Sequence, residues 1–286
     1  MIKVSCPAKI NLTLEIVNKR EDGFHNIKSI MQTVSLCDYL TIDAQKSEAT
    51  SITLSGTSEE IPYNEKNLVY KAAKLFLEKS GISAQVNIFI EKNIPIAAGL
   101  AGGSTDAAGT LYGLNEIFNH PFCREDLHEL CSSLGSDLNV CLEGGTLLAT
   151  SRGEVIKKID CEANFPVTLI KPKNLGISAK EAYTKYALKK VKPQNNMTEK
   201  MIEAIQNHSN LQEFLYNDLE YAIFDDYKEL QMIKEKLPNS IMSGSGSTYF
   251  ILGNLKENPF NDDYQVLQNL RFVTSGVSVT EPAEVL

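Results

Sequence analysis

The sequence predicts an α+β fold, in which strands and helices are mixed without a regular β-α-β alternation. Segments that alternate apolar and polar residues, the pattern of half-buried strands, stand beside segments with the apolar spacing of helices. Leu12, Leu14 and Ile16 show the first pattern, and residues 67–81 show the second. Several strand-like segments also follow one another without an intervening helix, which argues against a doubly wound parallel sheet.

Length, composition and charge limit the classes of protein that fit. The chain has 286 residues, enough for one large domain or two ordinary ones. Its 43% hydrophobic and 22% charged residues are typical of a soluble globular protein. A net charge of −8 argues against general nucleic-acid binding, which needs a basic surface. Without an apolar signal segment or a run of 18 apolar residues, a cytoplasmic protein with no membrane partner is expected.

The cysteines and histidines predict neither a metal site nor disulfide bonds. The six cysteines form no CxxC pair, and their spacings fit neither zinc nor a disulfide framework. The four histidines lack metal-ligand spacing as well. Free thiols in a reducing cytoplasm are therefore expected.

The first 60 residues predict strands joined by polar turns. Residues 1–17 alternate as a strand, and a polar turn with Asp22-Gly23 follows. Residues 30–36 and 38–44 are two further strand-like segments, and residues 46–60 are polar enough to predict a loop or hairpin.

A helix is predicted from Asn67, a good N-cap residue, to a stop at Gly81. Leu68, Ala72 and Leu75 supply its helical spacing. The same patterns assign strands at 84–91, 144–150 and 166–172, and helices at 104–118 and 124–134.

The second half is more polar, and a domain boundary near residue 160 is predicted, which gives domains 1–160 and 161–286. After residue 242 the sequence predicts a glycine turn followed by a strand. The sequence of the tail predicts a short helix and a further strand. Further predicted elements are a linker at 192–197 and helices around 198–207, 211–222 and 226–236.

The segment PIAAGLAGGSTDAA, residues 95–108, places glycines directly before a helix. A helix N-terminus offers unpaired N–H groups and the positive end of the dipole, and glycines let a phosphate approach them. Ser104 and Thr105 add hydroxyl groups for phosphate or Mg²⁺, and Asp106 could join the metal's ligands. The residues fit neither the P-loop nor the dinucleotide-binding motif. A phosphate site is predicted, and a close-packed turn against a sheet is the alternative.

A second glycine-rich turn repeats this chemistry in the other half of the chain. It consists of Ser243, Gly244, Ser245, Gly246 and Ser247. Alone it is better explained as a glycine hairpin. The two loops together favour a phosphorylated ligand held between two lobes.

Lys9 and Asp137 are the charged candidates for chemistry. In phosphoryl transfer a carboxylate orients or deprotonates the attacking hydroxyl, and a nearby lysine keeps that carboxylate ionised. The alternatives are a lysine at a strand edge and an aspartate in a turn or helix cap. Phe24 and His25 follow a tight turn and suit stacking on a base and hydrogen bonding to its edge; a packed Phe and a surface His are the alternative.

Five segments resemble motifs of the GHMP kinase superfamily, in the same order along the chain. They are PAKINL, KREDGFH, PIAAGLAGGSTDAA, GSDLNVCLEGGTLLATSRGE and MSGSGST. PAKINL together with DGFH, a variant of DGYH, resembles the members that act on a cytidyl diphosphate. The resemblance implies a ribosomal-protein-S5-like N-terminal lobe, a ferredoxin-like C-terminal lobe and a site in the cleft between them.

The resemblance also implies an activity and its residues. The activity is transfer of the ATP γ-phosphate, with Mg²⁺, to the 2-hydroxyl of methylerythritol in a small-molecule cytidyl diphosphate substrate, a step of non-mevalonate isoprenoid synthesis. A monomer or weak homodimer is expected. Asp137 matches the catalytic base and Lys9 the activating lysine. The ATP positions are Asn67, Lys92, Pro95, Gly99, Leu100, Ala101, Gly102, Gly103, Ser104 and Thr105, with Asn67 and Lys92 near the adenine. The substrate positions are Asn11, Phe24, His25, Asp137, Tyr183, Ser243, Gly244, Ser245 and Gly246, with Phe24 and Tyr183 on either side of the cytosine.

The chain departs from the family pattern near these residues. Phe24 replaces the usual Tyr, and Leu138-Asn139 replaces the usual Val-Pro or Ile-Pro. Two other functions stay open: another small-molecule kinase of the superfamily, for homoserine, mevalonate or a sugar, and a nucleotide-binding protein without catalysis. Phe24 and His25 argue against the first, and Lys9 with Asp137 argues against the second.

Overall fold

The computed structural model describes residues 1–161, 164–189 and 196–280. Two β-sheets with helices packed against them confirm the predicted α+β class. The first half contains β1 (Ile2–Lys19), β2 (His25–Lys46), β3 (Ser51–Gly56), α1 (Leu68–Ser80), β4 (Ala84–Glu91), α2 (Gly102–Ile117), α3 (Arg124–Leu134), α4 (Leu138–Glu143), β5 (Thr146–Thr150) and β6 (Val155–Ile159). The second half contains β7 (Pro166–Pro172), α5 (Ala179–Lys189), α6 (Met197–Gln206), β8 (Tyr216–Asn217), α7 (Asp218–Ile223), α8 (Lys228–Lys236), β9 (Ile241–Met242), β10 (Tyr249–Leu252), β11 (Tyr264–Arg271) and β12 (Ser278–Thr280).

The larger sheet is built around the long antiparallel pair of β1 and β2. Its strand order is β12-β1-β2-β4-β3, with β5 and β6 attached at β2 and β8 lying beside β1. The prediction of two strands at 30–36 and 38–44 is wrong, because the ladder continues through Cys37, which pairs with Pro7. The predicted loop at 46–60 contains β3, which pairs in parallel with β4. In both cases the neighbouring strand, rather than the local sequence, determines the structure.

The smaller sheet has the antiparallel order β11-β7-β10-β9 and comes entirely from the second half of the chain. The predicted strands at 166–172 and after residue 242 are confirmed. The predicted helix of the tail is wrong for residues 253–280, where β11 pairs with β7 and β12 pairs with β1. Pairing with distant strands overrides the local helical preference here.

The predicted helix caps of α1 are confirmed. The Asn67 side-chain oxygen accepts a hydrogen bond of 2.9 Å from the Val69 N–H, and Gly81 ends the helix at φ +66°. The helix predicted at 211–222 is wrong over its first part: Leu211–Phe214 is a 3-10 turn, and Asn217 caps the short α7. Most of the predicted linker at 192–197 lies outside the described residues.

Two glycines let α2 lie close to the larger sheet, and this packing determines the position of the glycine-rich loop that precedes the helix. A Cβ at Gly109 would come within 2.4 Å of Cys6 Sγ, and a Cβ at Gly113 within 2.6 Å of Ile42 Cδ1. These glycines lower helix propensity but allow close packing.

Within the described ranges, no helix is long and apolar enough to cross a membrane.

Candidate active site

A cavity of about 910 Å³ lies between β1, the loop before α2, α5 and the loop after β9. It collects many of the residues that the sequence singles out. The predicted residues that line it are Lys9, Asn11, Phe24, His25, Gly99, Ala101, Ser104, Asp137, Tyr183, Gly244 and Ser245. The two glycine-rich loops, the charged pair and the aromatic residues therefore face one space.

Lys9 is held in the cavity wall by three acceptors. Its Nζ donates to Asn11 Oδ1 at 2.8 Å and to the Gly99 carbonyl at 3.1 Å, and it lies 3.5 Å from Asp137 Oδ2. The two hydrogen bonds use two of the three N–H donors of the ammonium, and Asp137 is its ion-pair partner. Lys9 is only 3% exposed, so it is not a solvent-exposed lysine at a strand edge.

A break in the strand register places Lys9 against the glycine loop. The pairing of β1 with β2 shifts between Pro7 and Lys9. The backbone N–H of Lys9 donates instead to the Leu100 carbonyl at 3.1 Å. This bond fastens the loop at 95–105 to β1 beside the charged pair.

Asp137 immediately precedes α4 but does not cap it. Its backbone has φ −87° and ψ −9°, and its carboxylate accepts no hydrogen bond from the helix N–H groups. The side chain is 32% exposed and faces the cavity beside Lys9. The carboxylate is thus free to accept a proton or a hydrogen bond from a ligand.

The two glycine-rich loops touch each other at Gly99. The Gly99 carbonyl accepts a hydrogen bond of 3.0 Å from Ser243 Oγ in addition to the one from Lys9. A Cβ at Gly99 would lie 2.0 Å from the Ser243 carbonyl oxygen, and the φ of Gly99 is +75°. The second loop is a hairpin between β9 and β10, as its local sequence suggests, but it closes on the first loop. Both loops therefore need glycine for a close approach of backbone to backbone.

The N-terminus of α2 is open for an anion. Ala101 precedes it in the left-handed region at φ +59°, and no side chain caps the helix. A Cβ at Gly103 would meet no atom within 4 Å, which leaves space beside the first turn. Unpaired first-turn N–H groups and the helix dipole favour a phosphate at this place.

Several residues assigned to ATP lie outside the cavity wall. Asn67 caps α1, and Leu100 is buried in the apolar core. The Thr105 hydroxyl is fully buried and has no hydrogen-bond partner among the residues that the structure describes. Pro95 and Gly102 also lie outside the lining, and a Cβ at Gly102 would come within 2.8 Å of Lys92 Nζ.

Lys92 lies in a buried ionic cluster below the loop. Its Nζ bonds to Asp38 Oδ2 and lies 3.0 Å from Asp106 Oδ2. The other Asp38 oxygen accepts the N–H groups of Asn93 and Ile94. Burial opposes the charge of Lys92, but Asp106 and Asp38 outweigh it and raise the pKa of the amine. The ammonium therefore supports the start of α2 from inside the protein.

The second carboxyl group of this cluster, that of Asp106, has a raised pKa. Burial raises the pKa of Asp106 to about 8, and the Asp38 charge adds to this effect while Lys92 opposes it. Asp106 Oδ1 has no hydrogen-bond partner within the described part of the chain. Burial in this cluster thus favours the neutral form of Asp106 over the ionised form.

We expect Asp106→Asn to change the free energy of unfolding by less than about 1 kcal/mol below about pH 4, because there the amide replaces an acid of the same shape that is neutral in both the folded and the unfolded chain. A raised folded-state pKa contributes stability at low pH that is lost as pH rises towards 8. The variant lacks this titration and should gain stability relative to wild type between pH 6 and pH 9. Urea denaturation at several pH values measures the difference, and a difference constant with pH would show that Asp106 is ionised when folded.

Aromatic side chains occupy the far end of the cavity. The rings of His25 and Tyr183 stack with centroids 5.2 Å apart, and Tyr186 meets His25 edge-on at 6.3 Å. Phe24 is 54% exposed, and the Arg152 guanidinium lies 5.3 Å from its ring centroid. Tyr183 thus faces His25, and Arg152 lies over Phe24.

His25 is a neutral imidazole at pH 7. Partial burial and the nearby Lys19 lower its pKa from the ordinary 6.5. A neutral imidazole offers one donor and one acceptor, which suits the edge of a nucleobase. Burial, with the charges of Asp137 and Asp218, raises the pKa of Tyr183, so its hydroxyl also stays neutral.

The sequence did not single out some residues of the cavity. Lys19, Arg152 and Lys180 place positive charge along its wall in a chain whose net charge is −8. Tyr186, which contacts His25 from outside the lining, follows Tyr183 at the i+3 spacing of α5, a helix that the sequence pattern did not predict. Spacing from Tyr183 was the one signal that could have identified Tyr186.

The cavity lining offers few side-chain oxygen atoms that could bind a cation. The structure shows no group of three or more His, Cys, Asp or Glu side chains arranged for a metal in its described ranges. Asp137 and the Ser104 hydroxyl both line the cavity, whereas Thr105 does not. This donor set fits Mg²⁺, which typically takes one or two protein oxygens and completes its shell with phosphates and water.

Comparisons with known proteins find relatives over most of this chain. Residues 67–145 match the model of the GHMP kinases N terminal domain. A 4-diphosphocytidyl-2-C-methyl-D-erythritol kinase of Caldicellulosiruptor bescii is 40% identical over 88% of this chain and 90% of its own. The protein of the same name from Prochlorococcus marinus is 39% identical over 88% and 85%.

Solved structures show the same fold. A crystal structure of 4-(cytidine 5'-diphospho)-2C-methyl-D-erythritol kinase matches with a TM-score of 0.75 and 28% identity, covering 95% of this chain and 100% of that chain. A homoserine kinase from Cytophaga hutchinsonii has a TM-score of 0.74 at 17% identity, covers 98% of this chain and 97% of its own, and shows the fold alone. From its relatives, its motifs and its fold, the chain belongs to the 4-diphosphocytidyl-2-C-methyl-D-erythritol kinase family of GHMP kinases.

Proposed function

We propose that this chain uses ATP to phosphorylate the 2-hydroxyl of 4-diphosphocytidyl-2-C-methyl-D-erythritol. The observation that supports this most is the Lys9–Asp137 pair, 3.5 Å apart, in the middle of one cavity. An open helix N-terminus lies at one end of this cavity, and stacked aromatic rings lie at the other. A substrate with a nucleobase, a diphosphate and a reactive hydroxyl spans such a site.

Asp137 acts as the base or the orienting group for the attacking hydroxyl. Its carboxylate faces the cavity without a partner from the helix behind it, so it can accept the hydroxyl proton. Lys9 stabilises the negative charge that develops as the phosphoryl group moves. Asn11 keeps Lys9 in position, because its Oδ1 accepts from the ammonium and its Nδ2 donates to Ser29 Oγ at 2.9 Å.

The loop at 95–105 and the start of α2 bind the ATP phosphates. Gly103 leaves the space, and the N–H groups of the first turn supply the donors. Ser104 is the cavity residue that would hold Mg²⁺, and the ion would neutralise phosphate charge. Ser243, Gly244, Ser245 and Gly246 close over the substrate phosphates from the opposite side.

The aromatic end binds the cytosine. Neutral His25 forms hydrogen bonds with the donor and acceptor groups at the edge of the base. Phe24 and Tyr183 stack on the two faces of the base, which requires Tyr183 to move away from its stacked position on His25. Binding energy from this distant base aligns the reacting hydroxyl with Asp137.

We also propose a cytoplasmic enzyme with two lobes that divide near residue 160. The smaller sheet, which lies after that point, supports the division. The lobes are not independent, because β8 and β12 return to the larger sheet.

A coupled assay of ADP release with Mg-ATP tests the proposed function. We expect turnover with 4-diphosphocytidyl-2-C-methylerythritol and none with homoserine or mevalonate, because His25 and its aromatic neighbours select a nucleobase. Turnover with homoserine or mevalonate alone would assign the chain to another GHMP activity. ATP binding without turnover of any substrate would favour a non-catalytic nucleotide-binding protein.

A further inference from the structure

Asn139 is a buried polar residue that the proposed mechanism does not use. It is the second residue of α4, two positions after Asp137, and is 4% exposed. Its Nδ2 donates to Ser132 Oγ at 2.9 Å and to the Glu154 carbonyl at 2.8 Å. The amide therefore joins α4 to α3 on one side and to the turn between β5 and β6 on the other.

That turn, residues 150–154, is held together by its own hydrogen bonds. The Glu154 carboxylate accepts from the Arg152 N–H at 2.8 Å and from Ser151 Oγ at 3.0 Å. The Gly153 N–H donates to the Thr150 carbonyl at 3.0 Å. The turn thus behaves as one unit, and a bond to Glu154 positions all of it.

The turn carries Arg152 to the nucleobase end of the cavity. The Arg152 guanidinium lies 5.3 Å from the Phe24 ring centroid, within the range of a cation–π contact, and both residues line the cavity. The Ser151 carbonyl also accepts from the Ile27 N–H at 2.7 Å, which anchors the turn to β2. The bond from Asn139 is the one that links it to the helix of the catalytic base.

We propose that Asn139 is a positioning residue that sets the Arg152–Phe24 pair relative to Asp137. A substrate of fixed length places its reactive hydroxyl at Asp137 only if its base is held at the matching distance. One amide two residues from Asp137 connects both ends of the site. The inference rests on the proposed function, because it assigns the nucleobase to the Phe24 end.

Asn139→Ala tests this role through substrate affinity. The variant releases the turn but leaves Asp137 and Lys9 in place. We expect the dissociation constant for CDP, measured by calorimetry, and the KM for the cytidyl substrate to rise about three- to tenfold. The KM for ATP should stay within about twofold of wild type, whereas kcat should fall by about three- to tenfold, because the hydroxyl is less often aligned with Asp137. Asn139→Leu, which fills the same space without a donor, should give the same result where the alanine variant is poorly folded.

Ser132→Ala is the matched control, because it removes the other acceptor of the same amide and leaves the bond to Glu154. We expect it to lower stability without changing CDP affinity. Arg152→Ala combined with Asn139→Ala should bind CDP no more weakly than Arg152→Ala alone, because Asn139 acts through Arg152.

Three outcomes would overturn the inference: unchanged CDP affinity in both Asn139 variants, an equal loss in Ser132→Ala, or additive losses in the double variant. Failure of the proposed function itself looks different, since wild-type protein would then neither bind CDP nor turn over the cytidyl substrate.

Discussion

Asp137→Asn should lower kcat by about two to four orders of magnitude while ATP and CDP still bind within about threefold of the wild-type affinity. The amide has the shape of the carboxylate and lies in the same place before α4, but it cannot take the hydroxyl proton. It also carries no charge to pair with Lys9, 3.5 Å away. ADP release under saturating substrates gives kcat, and calorimetry gives the two dissociation constants.

Asp43→Asn is a suitable control, because it makes the same substitution at a half-exposed aspartate of β2 that lies outside the cavity. Its kcat should match wild type. If Asp137→Asn retained more than a tenth of the wild-type kcat, the carboxylate would not act as the base. A loss of CDP binding equal to the loss of kcat would instead show that the variant damages the site.

Gly99→Ala should lower the free energy of unfolding by about 2 to 5 kcal/mol and abolish ATP binding at ordinary concentrations. About 1 to 2 kcal/mol comes from placing a Cβ in the left-handed region, since the φ of Gly99 is +75°. Overpacking adds about 1 to 3 kcal/mol, because the Cβ would lie 2.0 Å from the Ser243 carbonyl oxygen and force the loops apart. Urea denaturation and ATP titration measure the two effects.

Gly81→Ala separates these two causes. Gly81 has a similar φ of +66° at the end of α1, but a Cβ there would meet no atom within 4 Å. This variant should pay the conformational cost alone and bind ATP normally. Equal destabilisation in the two variants would mean that contact between the glycine loops contributes nothing to stability.

The parts of the structure that follow from local sequence could be predicted. Asn67 and Gly81 mark the ends of α1 because capping depends on residues next to the helix. The glycine loop before α2 and the alternation of β1 are local in the same sense. Lys9 and Asp137 were identified as candidates by residue type and motif, and the structure brings them into one cavity.

The rest depends on contacts between residues far apart in the chain. Cys37 lies inside a continuous strand because β1 lies beside it, and the tail forms β11 because β7 offers a pairing partner. Lys92 shows the same limit within the site: its two carboxyl partners, Asp38 and Asp106, come from different elements, and no spacing indicates that they meet. The link from Asn139 to Glu154 is equally invisible in the sequence.

The position of β12 has a consequence for synthesis on the ribosome. Lys3 of β1 pairs with Thr280 of β12, and Thr13 pairs with Tyr216 of β8. At about 5 to 20 residues per second, β1 is made roughly 14 to 55 seconds before β12. During that interval β1 can pair with β2, but residues 3–5, which β12 later covers, have no strand beside their other edge. A strand edge that stays open this long can pair with other chains, so the start of β1 is a site of possible aggregation until β12 has been made.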